Sequence, residues 1–273
     1  KMPISADLGG KSYTLGKGKV FFDRYPNGTT ITANTQGSGE RYFGNTPEFS
    51  TSSSAESLDH FSSEGGLKTK DDSVQLSLDR TGKMVCDNIS GDNIALYFLG
   101  DKSTITQTTQ VGQISTFTGA NRGRFYQLGV SPSNPAGVRN VSNVVIKKGA
   151  GWATTVAQAT NYQVDEVLGR VYIESDAPGV PDLTDLQATF DVAASTRERV
   201  VSGSNPIYGA LRFVSDNPKG ANRDYYFPYV KLTPDGDYAL KGEEWMQIGF
   251  SFEILKKADN IEGAYVDGRP TIV

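Results

Sequence analysis

Apolar and polar residues alternate with a period of two along much of the chain, the signature of strands with one covered and one wet face. The clearest run is "WMQIGFSFEIL" at 245–255. Met246, Ile248, Phe250, Phe252 and Ile254 fall on one face there, and Gln247, Gly249, Ser251 and Glu253 on the other. "SVQLSLDR" repeats the pattern, placing Val74, Leu76 and Leu78 inward and Ser73, Gln75, Ser77 and Asp79 outward. "SNVVIKK", "GRVYIES", "LQATFDVA", "GALRFV" and "YYFPYVKL" read as further strands, punctuated by the turn clusters "YPNGT", "SDNPKG" and "TPDGD". One stretch has helical spacing instead. "SGDNIALYFLG" offers Ser90 as N-cap, Asp92 in the first turn and Gly100 as the stop, with Ile94, Tyr97 and Phe98 expected to lie along a sheet. The pattern predicts a mainly β chain with one flanking helix. No repeat or linker divides it, so it reads as a single domain over 1–273. A stretch around 119–182, richer in Gly, Asn and Pro, reads as an insertion in that sheet or an elaboration of it.

A chain of 273 residues can bury a sizeable core. Its net charge of −4 and pI of about 5.2 argue against a sequence-independent nucleic-acid binder. With 37% hydrophobic and 21% charged residues it has the composition of a soluble globular protein. No apolar run approaches the length that crosses a bilayer, and the opening "KMPISADLGGK" lacks the apolar centre of a signal peptide. Lys1 before Met2 fits a start that is processed or lies elsewhere. Cys86 is the single cysteine, which leaves no disulfide framework and no cysteine metal cluster, and predicts folding in a reducing cytoplasm.

Candidate chemistry is sparse. His60 is the only histidine, in "AESLDHFSSEGG". A Ser–His–Asp arrangement needs a carboxylate that orients the ring through one nitrogen while the other faces the nucleophile. Asp59 is adjacent in sequence and points to the opposite face of an extended segment, and no G-x-S-x-G elbow is present. An orienting partner from elsewhere in the chain stays open; the plain alternative is a loop or edge histidine making one ordinary hydrogen bond. With one His and one Cys, a metal site would rest on carboxylates and carbonyls. "PDGDYALKGEE" supplies Asp235, Asp237, Glu243 and Glu244 without calcium-loop spacing, and Asp235-Gly236 reads more simply as a turn. "GKGKV" lacks the spacing of a phosphate loop or dinucleotide fingerprint. The Asn-x-Ser/Thr triplets at Asn27, Asn88 and Asn140 read as accidents of a Ser/Thr/Asn-rich chain. A convergent carboxylate pair of glycosidase type stays open, but no motif specifies an enzyme, a metal or a cofactor.

The residues point instead to self-association. "FSTSSSAESL" (49–58) has small polar residues on both faces, so neither face reads as core. It is either a flexible surface loop or an unprotected strand edge, which invites another chain. "ISADLGGKSYTL" and "ADNIEGAYVDGRPTIV" flank the strands as short extended arms with scattered apolar anchors.

Long blocks carry a resemblance. "GERYFGNTPEFSTSSSAESLDHFSSEGGLKTKDDSVQL", "SGDNIALYFLG", "GRFYQLG", "NYQVDEVLGRVYI", "IYGALRFVSDNPKGANRDYYFPYVKLTPDGDYALKGEEWMQIGFSFEILKK" and "AYVDGRP" occur in colinear order. Together they resemble the major tail tube proteins of long-tailed, non-contractile (siphovirus-type) bacteriophages and related prophages. The resemblance covers nearly the whole chain and is loosest over 131–160. It implies a tail-tube type β-sandwich or barrel with one flanking α-helix, a long hairpin and extended terminal arms. Six copies would close into a ring, and rings would stack into the tube through which double-stranded DNA is ejected, without specific binding. The implied partners are further copies of the chain, a tape measure protein, and the tail terminator and tip proteins. The implied location is the virion tail, after synthesis in the bacterial cytoplasm. No catalytic, cofactor or metal residues are implied.

In such tubes a long hairpin before the helix helps line the lumen and reaches an adjacent ring. On this sequence it would pair 46–58 with 67–79 through "DHFSSEGG". The inter-subunit loop would then hold Leu58, Asp59, His60, Phe61, Ser62, Ser63 and Glu64, with His60 non-catalytic. Lumen-facing candidates are Ser52, Ser54, Glu56, Asp71, Ser73, Gln75 and Ser77, because a wall of small polar and acidic groups lets DNA slide where Lys and Arg would hold it. Rival readings are a tube protein of a contractile tail or secretion-type machine, a carbohydrate-binding β-sandwich using Tyr225, Tyr226 and Tyr229, and a carboxylate hydrolase.

Overall fold

The computed structural model describes residues 12–270. Its strands, in chain order, begin with β1 (Gly18–Arg24), β2 (Arg41–Tyr42), β3 (Glu48–Ser62) and β4 (Thr69–Cys86), followed by helix α1 (Gly91–Tyr97). Next come β5 (Asp101–Gln107), β6 (Gln110–Ala120), β7 (Arg124–Gln127), β8 (Val141–Lys148), β9 (Thr154–Thr155), β10 (Tyr162–Asp165), β11 (Arg170–Ile173), β12 (Thr184–Val192) and β13 (Ser195–Val201). The last four are β14 (Ile207–Ser215), β15 (Arg223–Pro234), β16 (Ile248–Ile254) and β17 (Tyr265–Gly268). The chain is mainly β, with 53% of residues in strands and 4% helical, in a sandwich-like fold with one α-helix.

Two compact units form, one from Lys1–Lys102 with Val200–Val273 and one from Ser103–Arg199. The second unit encloses the 119–182 range expected as an insertion in a single domain or an elaboration of it, and has its own core. β5 and β13 carry the chain into and out of it as a two-stranded sheet.

The first unit is built on an antiparallel sheet in the order β2-β1-β14-β15-β16-β4-β3, with β17 also on β15. Its core is the inward alternation of the strands: Val20 and Phe22 from β1, Leu211 from β14, Val230 and Leu232 from β15, and Ile248, Phe250 and Phe252 from β16. The 245–255 reading holds at its centre, where Ile248, Phe250 and Phe252 are buried and Ile254 packs at the rim. At its start it does not, because the strand begins at Ile248 and Trp245 is 90% exposed. The C-terminal arm is also corrected in part. Tyr226 pairs with Tyr265 and Tyr225 with Val266, so β17 is a bound strand, and Arg269 reaches Asp224. The N-terminal arm lies outside the described residues over 1–11; beyond it, Leu15 bridges Lys219.

Ser90 caps α1 as expected, accepting from the Asn93 amide at 3.3 Å. Ile94 and Tyr97 pack partly buried against the core as expected, but the fully buried positions are Asn93, Ala95 and Leu96, and Phe98 is exposed. The cause is a polar anchor. Asn93 donates from Nδ2 to the Phe43 and Asn88 carbonyls, each at 2.8 Å, and accepts from Arg41 at 2.8 Å, so it is buried fully satisfied. That fixes the helix rotation about its axis. Leu99 takes a left-handed φ of 51° after the helix. Gly100 is required because a Cβ there would strike the Val201 carbonyl.

The second unit has a sheet ordered β6-β12-β8-β9 and another ordered β10-β11-β7. Side chains of both fill one core, including Ile146, Leu186, Ala188 and Phe190 from the first sheet and Val171 and Ile173 from the second. This is the sandwich principle of two inner faces sharing one apolar layer.

Candidate functional site: the projecting hairpin

β3 and β4 are 15 and 18 residues long and pair along their lengths. Their root belongs to the sheet. β16 pairs with β4 over Thr81–Cys86, Met84 is buried, and Phe49 stacks on Phe213 and Phe252 at centroid distances of 5.3 and 5.5 Å. Gly82 permits this, since a Cβ there would strike the Phe252 ring and the Ser50 carbonyl. Among the described residues, β4 outward from Arg80 has β3 as its sole strand partner, and the far edge of β3 is unpaired. About ten residues of ribbon project, roughly 33 Å at the rise of a strand.

The connecting loop is shorter than expected. Leu58, Asp59, His60, Phe61 and Ser62 lie in β3, and only 63–68, including Ser63 and Glu64, join the strands. The long loop reading fails because Ser, Asp and His pair readily when the opposite strand supplies a matching run, as "TKDDS" does.

Faces follow from the register. Ser52, Ser54 and Glu56 lie on one face opposite Thr81, Asp79 and Ser77. Between Glu56 and Ser57 the register skips Leu76, and between His60 and Phe61 it skips Asp71. Each extra residue is a bulge that turns the following side chains over. Ser73 and Gln75 therefore pair with Asp59 and Ser57 on the opposite face, whereas Leu58–Val74 and His60–Asp72 join the Glu56 face. Four of the expected lumen residues, Ser52, Ser54, Glu56 and Ser77, come together; Ser73 and Gln75 do not; Asp71 sits at a bulge. Asp72 and Asp79 were missed and add charge to the Glu56 face. Two-residue alternation gives no signal for a bulge, which is why Ser73 and Gln75 are expected on the Glu56 face and Asp72 is not, whereas Asp79, on the root side of both bulges, alternates with Ser77 as the sequence pattern predicts.

His60 does have an orienting carboxylate, supplied across the ribbon. Its Nδ1 lies 2.6 Å from Asp71 Oδ1, with both side chains largely in water. On the other face Asp59 accepts from Lys70 at 2.6 Å and from Ser73 Oγ at 2.7 Å. The Lys70 contact first, and the Ser73 hydroxyl second, hold the Asp59 carboxyl below the usual carboxylate range.

The apolar side chains of the hairpin overturn a second expectation. Val74, Leu76 and Leu78 are not inward: they are 57%, 59% and 47% exposed, and Leu58, Phe61 and Leu67 are exposed too. Among the described residues no layer covers either side of the ribbon beyond the sheet. A two-stranded ribbon is marginal by itself in water, and uncovered apolar groups flanked by polar ones mark a contact surface.

Other candidates do not assemble. Tyr225 packs on Phe213, Tyr226 lies under the Arg212 guanidinium, and Tyr229 stacks with Tyr25, so the three tyrosines form no open aromatic face. Asp235 pairs with Lys83 at 2.8 Å, and Gly236 completes the expected turn with φ 75°. Among the described residues no group of three or more His, Cys, Asp or Glu comes together as a metal site.

Fold and surface together define a mainly β protein of two compact units, one carrying a long uncovered hairpin. A family model described as "Protein of unknown function UCP028589" matches residues 13–266, and the chain belongs to that family. No curated protein matches it.

Proposed function

We propose that the chain is a self-assembling structural subunit that closes into six-membered rings and stacks them as the tail tube of a long-tailed, non-contractile bacteriophage. Double-stranded DNA passes through the tube during ejection. The observation that carries the reading is the hairpin: roughly 33 Å of ribbon with free edges and exposed apolar side chains on both faces. The extended resemblance of residues 39–76 and 207–257 to tail tube proteins supports it, because these blocks hold all of β3, the outer part of β4 and the sheet strands β14, β15 and β16. The face bearing Ser52, Ser54, Glu56 and Ser77, with Asp72 and Asp79, has the small polar and acidic character that lets DNA slide. Further copies, a tape measure protein and the terminator and tip proteins are the partners of such a subunit.

The test is sedimentation velocity and negative-stain microscopy of the purified chain beside a variant lacking 58–75. The intact chain is expected to form rings or tubes, and the shortened chain to remain a soluble, folded single subunit. An intact chain that stays monomeric at every accessible concentration, or a shortened chain that still builds regular tubes, would overturn the proposal.

A further inference from the structure

A cleft of about 500 Å³ opens in the second unit, and its reading does not depend on the role proposed for the hairpin. Its walls are the end of β5, the start of β6, the loop 129–138 and β13. Arg197 and Arg199, two apart on β13, share the face that lines it. The loop is held firmly. Gln107 donates to the Ala193 carbonyl at 2.9 Å and accepts from the Arg139 amide at 3.1 Å, while Gly129 donates to Ser115 Oγ at 2.9 Å. Gly129 has φ 64°, and a Cβ there would crowd Val138.

The cleft is cationic, and its charge is not internally matched. Arg197 donates from Nη2 to the Gly137 carbonyl at 3.1 Å, and Arg199 donates from Nη2 to Asn134 Oδ1 at 2.8 Å. Both partners are neutral. Arg197 Nη1 is shut off from solvent with no hydrogen-bond partner. Burial, then the charges of Arg199 and Arg139, pull the Arg197 pKa downward. Arg139 itself caps the Ala136 and Val138 carbonyls, and the carboxylate that senses it, Asp165, is already paired with Arg170. With only neutral hydrogen-bond partners, the two guanidinium groups keep an uncompensated charge along this wall, which favours an anion at their accessible edges.

The remaining lining says what carries that oxyanion. Gln110, Gln113, Ser131, Ser133 and Asn134 offer amides and hydroxyls, and Phe190, the aromatic of the lining, is 1% exposed. The cleft has the size of a small-molecule site rather than of a lone ion. Buried Phe190 gives no stacking surface for a nucleobase. We propose that this cleft binds an anionic sugar, with its carboxylate or phosphate on Arg197 and Arg199 and its hydroxyls on the Gln and Ser side chains.

The test is calorimetric titration of the full chain at low salt with galacturonate, glucose 6-phosphate, galactose and inorganic phosphate. The two anionic sugars are expected to saturate, galactose and phosphate to bind at least tenfold more weakly, and added salt to weaken the sugars. Arg199→Gln, which loses one bond to Asn134, is expected to weaken both at least tenfold with the circular dichroism spectrum unchanged. Arg197→Gln is expected to do the same where it folds. Gln113→Ala is expected to weaken the sugars and leave phosphate unaffected. No saturation by either anionic sugar, undiminished binding by folded Arg199→Gln, or phosphate binding as tightly as the sugars (an anion site without sugar recognition) would each overturn the proposal.

Discussion

Leu58 and Val74 face each other across the ribbon, 63% and 57% exposed. Replacing both with threonine removes apolar surface and retains strand-forming side chains. In the isolated subunit these groups already touch water, so stability should change by no more than about 0.5 kcal/mol. In an assembly they would be covered. Full burial of such a side chain is worth ~1.5–3 kcal/mol, and scaling by the exposed fraction leaves roughly 1–2 kcal/mol for each. The pair should therefore cost about 2–4 kcal/mol per hairpin contact, a shift of roughly 30- to 700-fold in association constant. Sedimentation velocity over a concentration series reads the shift, and thermal unfolding of the dilute chain reads the fold. An unmoved half-assembly concentration in a folded variant would show that this pair is not at a contact. A loss of melting temperature on the scale of a core variant would show that the isolated chain already buries it.

Phe250→Asp places an unpaired carboxylate among Phe43, Met84 and Phe252 and should cost several kcal/mol, giving insoluble or unfolded protein; Ile254→Asp, at the rim, should cost less, and normal solubility of the first would refute the inward face. Lysine at Ser54, Glu56 and Ser77 should leave tubes that form but retain DNA until salt is raised, whereas lysine at Ser73 and Gln75, on the opposite face, should not; equal retention by both sets would refute the face assignment. His60→Ala should leave assembly intact or slightly weakened, and a hydrolytic activity abolished by that change would refute a structural role. Because the folded Asp59 carboxyl titrates below its unfolded value, its contribution to the tip is present above the ordinary carboxylate range and is lost as pH falls through the depressed folded value. An NMR titration placing the Asp59 midpoint at or above about 4 would refute its pairing with Lys70 and Ser73.

Regular alternation was legible where a strand lies in a sheet with a covered face. The core positions Ile248, Phe250 and Phe252 could be read residue by residue, and "LQATFDVA" as a strand, in which Leu186, Ala188, Phe190 and Val192 are buried. The cap at Ser90 was legible because a serine side chain bonding the third amide onward is a local event. The rotation of α1 was not, because it is set by Asn93 reaching carbonyls of two distant segments. Nor was the burial state of Val74, Leu76 and Leu78. Alternation reports which residues share a face but not whether anything lies against that face. The Arg197–Arg199 cleft gave no sequence signal either, since its walls come from four segments between 105 and 199.

The two bulges explain how one ribbon can serve contacts on both sides. Without them Val74, Leu76 and Leu78 would form a single apolar stripe continuous with the Phe49–Met84 face of the core. A flat stripe of that kind on a long free edge favours indiscriminate strand pairing. The extra residue at Leu76 turns Val74 and Asp72 to the far side and brings Gln75 and Ser73 to the near side, and the extra residue at Asp71 restores the original alternation at Lys70. Leu78 with Ala55 and Phe61 with Lys70 consequently remain on the core-side face, and Leu58 with Val74 sits on the other. Each face carries a short apolar contact bounded by polar pairs: Asp59, Ser73 and Lys70 on one, His60 and Asp71 on the other. A subunit in a stacked ring meets one neighbour around the ring and another along the tube, so two small, differently bordered contacts suit that geometry better than one continuous stripe. The acidic side chains then divide the far face into an outer contact near Leu58 and Val74 and an inner polar stretch from Ser52 to Glu56, the stretch the proposal turns toward passing DNA.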